Sequence, residues 1–248
     1  MFNFFASPES RNGDCYYIEG NDLNHIKNVL RMKPSDKLLV SDKGISSLCE
    51  IESLDDSCAV VRIIEEEYQN TELPVEIHLF QGLPKADKME LIIQKCTELG
   101  VHRIVPCEMH RCVVKIEDKK KKSKVQRWQA ISESAAKQSK RSIIPEVGDI
   151  LPLSLLKERV KDFDLFIVPY ENERGMAATK EALDRIKSGM KVGILIGPEG
   201  GFEEKEVEAM LGAGAIPLSL GSRILRTETA AITAVGMCML HIEMNVKE

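Results

Sequence analysis

Residues 191–233 read KVGILIGPEGGFEEKEVEAMLGAGAIPLSLGSRILRTETAAIT and contain two glycine-rich turns, each between an apolar run and a helix. The apolar runs 192–196 and 216–220 have the length and branched side chains of buried strands. Each run leads into a glycine turn and then into a segment with the pattern of a helix. This repeated layout is typical of a ligand site at the carboxyl edge of a parallel sheet.

The same alternation of strand and helix extends upstream to Val75. The periodicity predicts strands at 75–80, 104–106, 165–168, 192–196 and 216–220. It predicts helices at 88–99, 124–139, 176–186, 203–211 and 228–243. Strands that alternate with helices indicate an α/β fold with a parallel sheet flanked by helices. The last helix is apolar over more than one face, which favours burial within its domain and against a second subunit.

Residues 1–70 predict a separate, β-rich domain. Short strands are expected at 37–42, 47–53 and 57–64, with a helix at 22–30. The polar segment 69–74 has the character of a linker. We therefore predict two domains, residues 1–70 and residues 74–248.

The composition is that of a globular protein, since 43% of the 248 residues are hydrophobic. No apolar run approaches the ~20 residues of a membrane span, and the amino terminus lacks a basic leader and an apolar signal core. The seven cysteines are odd in number and scattered, which is typical of reduced thiols. We expect a cytoplasmic protein with no membrane partner.

Positive charge is concentrated between Arg111 and Arg141, although the net charge of the chain is −5. This segment holds 11 Lys and Arg residues against three acidic residues. Such segregation can supply a phosphate-binding surface on an acidic protein. The alternative is that lysines 119–124 form only a solvated loop and a lysine-rich helix start.

The glycine turns do not match the common nucleotide-binding or nucleophile motifs. The chain contains no G-x-G-x-x-G after a strand, no G-x-x-x-x-G-K-[ST] and no G-x-S-x-G. His102, Cys107, His110 and Cys112 form a loose cluster without the second ligand pair of a zinc site, so we expect no metal. Two adjacent turns that expose backbone N–H and C=O groups can instead read the edge of a purine.

Segments 195–202 (LIGPEGGF) and 220–230 (LGSRILRTETA) closely resemble the bacterial ribosomal RNA small-subunit methyltransferase E family, whose members methylate N3 of a uridine in 16S rRNA. The likeness covers essentially the whole chain, including segments 25–32, 81–100, 108–115 and 138–145. This family is part of the SPOUT superfamily. The resemblance therefore implies a trefoil-knotted parallel sheet, preceded by a small PUA-like RNA-binding β-barrel.

The resemblance further implies that S-adenosylmethionine is bound between the two turns. The implied cofactor-binding residues are Val168, Pro169, Ile196, Gly197, Glu199, Gly201, Leu218, Leu220, Gly221, Ile224 and Leu225. Backbone groups of the three leucines would hold the adenine, with Ile224 packed on it. A Cβ at Gly197 or Gly201 would crowd the ribose and methionine parts. Glu199 could either order its loop or touch the ligand, and both possibilities stay open.

Arg226 is the predicted catalytic residue. Uridine N3 must lose its proton to become nucleophilic, and a guanidinium would stabilise the negative charge that spreads onto the uracil oxygens. The alternative for Arg226 is a salt bridge to Glu228 or Glu199. No residue stands out as the general base, so water and Glu199 both stay open.

Contacts to RNA are expected from both domains. The predicted residues are Arg11, Arg31, Lys85, Lys88, Arg111, Lys115, Gln138 and Arg141. The implied partner is 16S rRNA within the small ribosomal subunit or a late precursor, and the family acts as a homodimer. Two other functions stay open: a SPOUT methyltransferase that acts on tRNA or 23S rRNA, and a non-catalytic RNA-binding assembly factor.

Overall fold

The computed structural model describes residues 1–173 and 175–246, which form two compact units. The first unit comprises Met1–Glu72 together with Ala136–Ile144. The second comprises Leu73–Ala135 and the described residues from Pro145 onward. No helix in the described part of the chain has the length and apolar character needed to cross a bilayer.

The first unit is built on a six-stranded sheet. Its strands are β1 (Asn3–Phe5), β2 (Arg11–Asn12), β3 (Cys15–Ile18), β4 (Lys37–Asp42), β5 (Ile45–Leu54) and β6 (Ala59–Glu65). They pair in the order β1–β4–β5–β6–β3–β2, antiparallel except for the parallel pair of β1 and β4. Helix α1 (Gly20–Asn24) continues into a π-helical turn, His25–Val29, and buries Leu23 and Ile26 against this sheet.

Residues 136–144 join the first unit through an enclosed ion pair. The side chain of Arg141 is 4% exposed and contacts the Glu72 carboxylate. That carboxylate also accepts the Ser142 N–H at 2.9 Å, and the Arg141 carbonyl accepts Asn3 Nδ2 at 2.8 Å. Because a buried charge is tolerated only when it is paired and hydrogen-bonded, these contacts make Arg141 a structural residue of this unit.

The second unit contains a seven-stranded parallel sheet. Its strands are β7 (Glu76–Gly82), β8 (Arg103–Glu108), β9 (Glu146–Val147), β10 (Leu151–Pro152), β11 (Leu165–Pro169), β12 (Lys191–Ile196) and β13 (Ile216–Leu218). The order is β10–β8–β7–β12–β11–β13, and β9 also pairs with β8. Packing requires a glycine at position 193 within β12, because a Cβ added to Gly193 would lie 2.3 Å from the Phe166 ring.

Helices cover both faces of this sheet. They are α2 (Lys88–Glu98), α3 (Asp118–Ser139), α4 (Leu153–Arg159), α5 (Ala177–Asp184), α6 (Glu204–Gly212) and α7 (Thr227–Asn245). Buried residues of α2 and α7, such as Ile92 and Val235, share one apolar cluster with the sheet. Leu156 of α4 and Met210 of α6 belong to a second cluster. Loops rather than helices therefore surround the carboxyl ends of the strands.

The predicted α/β architecture is confirmed, and the differences are local. Helix α3 begins at Asp118 rather than at 124, since an aspartate in the first turn favours the helix dipole and pairs with Lys121 at 3.0 Å. The short elements β1, β2, β3, β9, β10 and α4 were not predicted, because two to seven residues carry too little periodicity. The trefoil knot stays a prediction.

Candidate active site

A cavity of about 460 Å³ opens at the carboxyl ends of β11, β12 and β13. Its walls are drawn from residues 169–173, 196–202 and 219–230, with Lys88 from the start of α2. All of these residues belong to the second unit. The volume is in the range of sites for small ligands, which run from about 300 to 1,000 Å³.

The first turn, residues 197–201, is shaped by close backbone approaches. A Cβ added to Gly82 would lie 2.7 Å from the Pro198 ring, so β7 must end in glycine for the turn to lie against it. A Cβ added to Gly197 would meet the Phe202 ring at 3.3 Å. Gly201 has a φ of +69°, which side chains disfavour. Local packing and backbone conformation therefore require glycine at these positions, in addition to the ligand space that the sequence predicts.

The second turn, residues 219–226, is anchored at its start and open at its tip. Thr179 Oγ1 donates to the Ser219 carbonyl at 2.7 Å, and the Ser219 N–H donates to the same hydroxyl oxygen at 3.1 Å. Gly221 has a φ of +109°. Ile224 at the tip is 90% exposed and lines the cavity. An apolar side chain held open beside a cavity is suited to cover an apolar ligand group.

A buried hydroxyl ties the first turn to the start of α7. Thr227 Oγ1 donates to the Gly197 carbonyl at 2.6 Å and accepts a hydrogen bond from Gln81 Nε2 at 2.9 Å. The same Nε2 donates to the Gly82 carbonyl at 2.9 Å. The end of β7, the first turn and the start of α7 are thus joined through one side chain.

Lys88, at the start of α2, links the first turn to α7 by charge. Its Nζ lies 3.1 Å from Glu199 Oε1 in the first turn and 3.1 Å from Glu228 Oε2 in α7. Glu199 Oε1 also accepts the Lys85 N–H at 3.0 Å. Burial raises the pKa of Glu199, but hydrogen bonds from Lys85 and its own backbone, with the Lys88 charge, bring that pKa below its ordinary value. Glu199 therefore orders its loop as a paired carboxylate.

Arg226 lines the cavity at the end of the second turn and is exposed to solvent. Its predicted alternative partners, Glu228 and Glu199, both face Lys88 instead. Among the described residues, the Arg226 guanidinium has neither an ion-pair nor a hydrogen-bond partner. Its charge is available to a ligand.

Most of the predicted cofactor residues come together at this cavity. Those that line it are Pro169, Ile196, Gly197, Glu199, Gly201, Leu220, Gly221, Ile224 and Leu225. Val168 and Leu218 do not line it, because their side chains are buried within β11 and β13 beneath it. The Leu218 carbonyl accepts the Tyr170 N–H at 3.0 Å, which fixes the strand ends relative to each other.

The predicted RNA-contacting residues have different surroundings. Arg31, Lys85, Lys115 and Gln138 are exposed. Arg11 pairs with Glu66 at 2.5 Å. The Arg141 guanidinium is enclosed with Glu72, and its role as an RNA contact stays a prediction.

Two of these residues contact the first turn through their side chains, and Lys85 contacts it through its backbone N–H. Lys88 lines the cavity, where two carboxylates hold it. Arg111 is exposed, and its Nη1 donates to the Gly200 carbonyl at 3.1 Å. A Cβ added to Gly200 would lie 2.9 Å from the Arg111 Cβ. Arg111 can therefore approach the first turn only because residue 200 has no side chain.

Sequence reasoning missed the roles of Gln81, Thr227 and Thr179 in holding the turns. A polar residue at the end of a buried strand is the signal that could have identified Gln81. The contact partners could not be inferred, because Gln81 and Thr227 are separated by 146 residues along the chain.

The cavity combines three kinds of ligand contact. Ile224 and Leu225 offer apolar surface, while the turns offer backbone groups. Glu171 and Glu173 add two acidic residues to the lining, and Glu171 Oε1 lies 3.6 Å from where a Gly201 Cβ would lie. This arrangement suits an elongated ligand with a flat apolar part and a cationic part.

Comparison with known proteins defines the class. A family described as an RNA methyltransferase domain matches residues 71–239, and one described as an RNA methyltransferase PUA domain matches residues 18–64. The chain thus contains the domains of an RNA methyltransferase with an additional PUA domain.

Individual relatives identify the family within this class of RNA methyltransferases. Ribosomal RNA small subunit methyltransferase E of Bacillus subtilis is 39% identical, over 92% of this chain and 91% of its own. The crystal structure of ribosomal RNA small subunit methyltransferase E from Neisseria gonorrhoeae bound to S-adenosyl methionine is 29% identical, covers 97% of each chain and has a TM-score of 0.80. A Legionella pneumophila structure with the bound cofactor SAM is 32% identical, covers 96% of this chain and 97% of its own, and also has a TM-score of 0.80. The chain belongs to the ribosomal RNA small subunit methyltransferase E family.

Proposed function

We propose that this protein transfers the methyl group of S-adenosylmethionine to N3 of a specific uridine in 16S rRNA. The observation that carries the proposal is an arginine, Arg226, that has no partner among the described residues and lines a cavity between two glycine turns, in a chain of this family. The substrate is the small ribosomal subunit or a late precursor of it.

The lining of the cavity supports the binding of S-adenosylmethionine at this site. Ile224 and Leu225 would cover the adenine ring, and backbone groups of the second turn would meet its polar edge. The carboxylates of Glu171 and Glu173 would face the cationic end of the ligand. When bound, the ligand supplies an electrophilic methyl group on a sulfonium.

Arg226 would act on the uridine. As N3 loses its proton, negative charge spreads onto the uracil carbonyl oxygens, and an unpaired guanidinium beside the cavity would stabilise it. The positioning of uridine N3 in line with the methyl group would supply the remaining part of the rate increase.

The proton acceptor would be water rather than Glu199. Glu199 is committed to Lys88 and to the Lys85 N–H, and these contacts help to bring its pKa below its ordinary value. A carboxylate stabilised in this way is a weak base. Glu199 would instead keep the first turn closed around the ligand.

RNA would be held by both units. We assign residues 1–70 as the PUA-like RNA-binding domain and residues 74–248 as the methyltransferase domain, of which residues 136–144 pack into the first unit. Arg11, Arg31, Lys85, Arg111, Lys115 and Gln138 are the proposed contacts. The target base would be splayed from its stack to reach the methyl group. The protein would work in the cytoplasm as a homodimer.

Two measurements test this function. Titration calorimetry with S-adenosylmethionine should give heat of binding. A non-catalytic RNA-binding factor, whose cavity does not bind the cofactor, would give none. Nucleoside mass spectrometry on a deletion strain should show 3-methyluridine missing from 16S rRNA, with tRNA and 23S rRNA unchanged. Loss of a methylated nucleoside from tRNA or 23S rRNA instead would identify another RNA as the substrate.

A further inference from the structure

We propose that Glu76, His78 and His102 bind a divalent transition-metal ion of the zinc class at the amino edge of the second unit's sheet. One ligand atom from each of the three residues lies within 4.8 Å of the other two. Two imidazoles and a carboxylate are a donor set that zinc takes in proteins, with water in the fourth position. The proposal does not depend on the methyltransferase function.

Strand geometry brings these side chains together. Glu76 and His78 are two residues apart on β7 and therefore point to the same face of the sheet. His102 lies just before the neighbouring strand β8, and its N–H donates to the Ile77 carbonyl at 2.7 Å. Sequence spacing could not reveal this site, since the third ligand lies 24 residues further along the chain, just before β8.

The ligand atoms are near the separations that a metal requires. His78 Nε2 lies 3.4 Å from Glu76 Oε2, and the two imidazole rings stack with centroids 5.4 Å apart. Zinc at about 2.0–2.2 Å from each ligand needs ligand atoms roughly 3.3 Å apart. The His102 ligand atom lies within 4.8 Å of the other two, so the three side chains must draw closer when a metal binds, and the Glu76 side chain is 40% exposed.

The surroundings of His78 hold its ring in place. The His78 side chain is 13% exposed, and the Phe163 ring packs edge-on against it at 5.2 Å. The His102 ring stacks on it with the ring centroids 5.4 Å apart. The His78 imidazole is therefore held beside the other two proposed ligands.

Lys191 competes with the metal. Its Nζ lies 3.6 Å from Glu76 Oε2, and its side chain is 52% exposed. An ammonium and a metal ion cannot both lie against the same carboxylate oxygen without repulsion. The lysine must turn to solvent when the metal binds, so removal of its charge should tighten binding.

The metal would stabilise the sheet rather than take part in the reaction. Glu76 begins β7, and Gln81, which contacts the cavity wall through Thr227, lies five residues further along it, roughly 16 Å away. A metal at this site would cross-link β7 to the start of β8. Because it would bind only the folded chain, the melting temperature should rise with metal concentration.

The test is calorimetric titration of Zn²⁺ into the tag-free full chain. One ion should bind per chain, and Glu76→Gln and His102→Gln should each weaken binding by about tenfold or more. Lys191→Met should bind more tightly than the wild type. His110→Gln, which changes an exposed histidine outside the cluster, should leave the affinity unchanged.

Circular dichroism on each variant checks that the chain is folded. Zn²⁺ should raise the melting temperature of the wild type, and it should not raise that of a variant in which calorimetry finds no binding. The proposal is overturned if the wild type takes up no Zn²⁺. It is also overturned if both ligand variants keep the wild-type affinity, or if only His110→Gln loses it.

Discussion

Lys88, Glu199 and Glu228 neutralise one another at the cavity wall, and Arg226 takes no part in that network. The four residues come from four segments, namely α2, the two turns and α7, and their charges look interchangeable in the sequence. In the described part of the chain, pairing separates them into a structural triad and one guanidinium without a partner. Arg223 in the same turn is also exposed and lines the cavity, so it provides a matched comparison.

Arg226→Ala should reduce single-turnover methylation of small ribosomal subunits by roughly 10²- to 10³-fold, because charge on the uracil oxygens loses its partner. Its affinity for S-adenosylmethionine, measured by calorimetry, should stay within a few fold. Arg223→Ala should keep most of the turnover. Similar losses in both variants would show that the turn needs positive charge in general rather than Arg226.

Lys88→Met should lower the midpoint of chemical unfolding at pH 7, since Glu199 and Glu228 then face each other without a counter-charge. A second substitution, Glu228→Gln, should restore part of the loss. Lys85→Met is the control, because its backbone N–H still donates to Glu199.

The effect of Lys88→Met should depend on pH in one direction. The pKa of Glu199 is lowered in the folded chain, so its contribution to stability is present above the ordinary value of 4.5 and is lost as pH falls through the lowered pKa. The difference between variant and wild type should therefore shrink below pH 4.5. A difference that grows in acid would contradict the assigned pairing.

At the scale of the elements, the strand–turn–helix units were predictable because each carries its own signal. The runs 192–196 and 216–220 and the periodicity of α2 correspond closely to the elements in the structure. The start of α3 was harder to place, because a run of lysines looks the same whether it is a solvated loop or a solvated helix turn. Contacts between elements had no local signal.

Thr227→Val should destabilise the chain by about 1–3 kcal/mol in guanidinium unfolding, because Gly197 O and Gln81 Nε2 lose a buried hydrogen-bond partner. Affinity for S-adenosylmethionine should fall several-fold as the first turn loosens from α7. Thr227→Ser should restore both properties. Thr229→Val, an exposed position in the same helix turn, should change neither; an equal effect there would assign the loss to helix propensity.

At the scale of the whole molecule, one face of α7 bears apolar side chains without cover. Leu240 is 53% exposed and Met244, one turn later, is 72% exposed. Exposed apolar residues four positions apart on a helix form a continuous stripe. We assign this stripe to the proposed homodimer.

Leu240→Glu should convert the dimer to a monomer in sedimentation velocity at micromolar concentration, because a carboxylate would be buried without a partner. Leu155→Glu changes a residue of similar exposure (50%) on α4 and should leave the dimer intact. A dimer that persists in Leu240→Glu would place the interface on another surface.

The sequence by itself determined the two glycine turns, the alternation of strands and helices, and the resemblance that named the family. These features are local, because period, turn chemistry and motif are each contained in a few consecutive residues. Only the tertiary structure decided which charges are free. In the folded chain, Arg141 is enclosed with Glu72, and Lys88 pairs with two carboxylates. Thr227 joins the first turn to the start of α7. The physical reason is that burial and pairing depend on residues far apart along the chain, which only the packed sheet brings into contact.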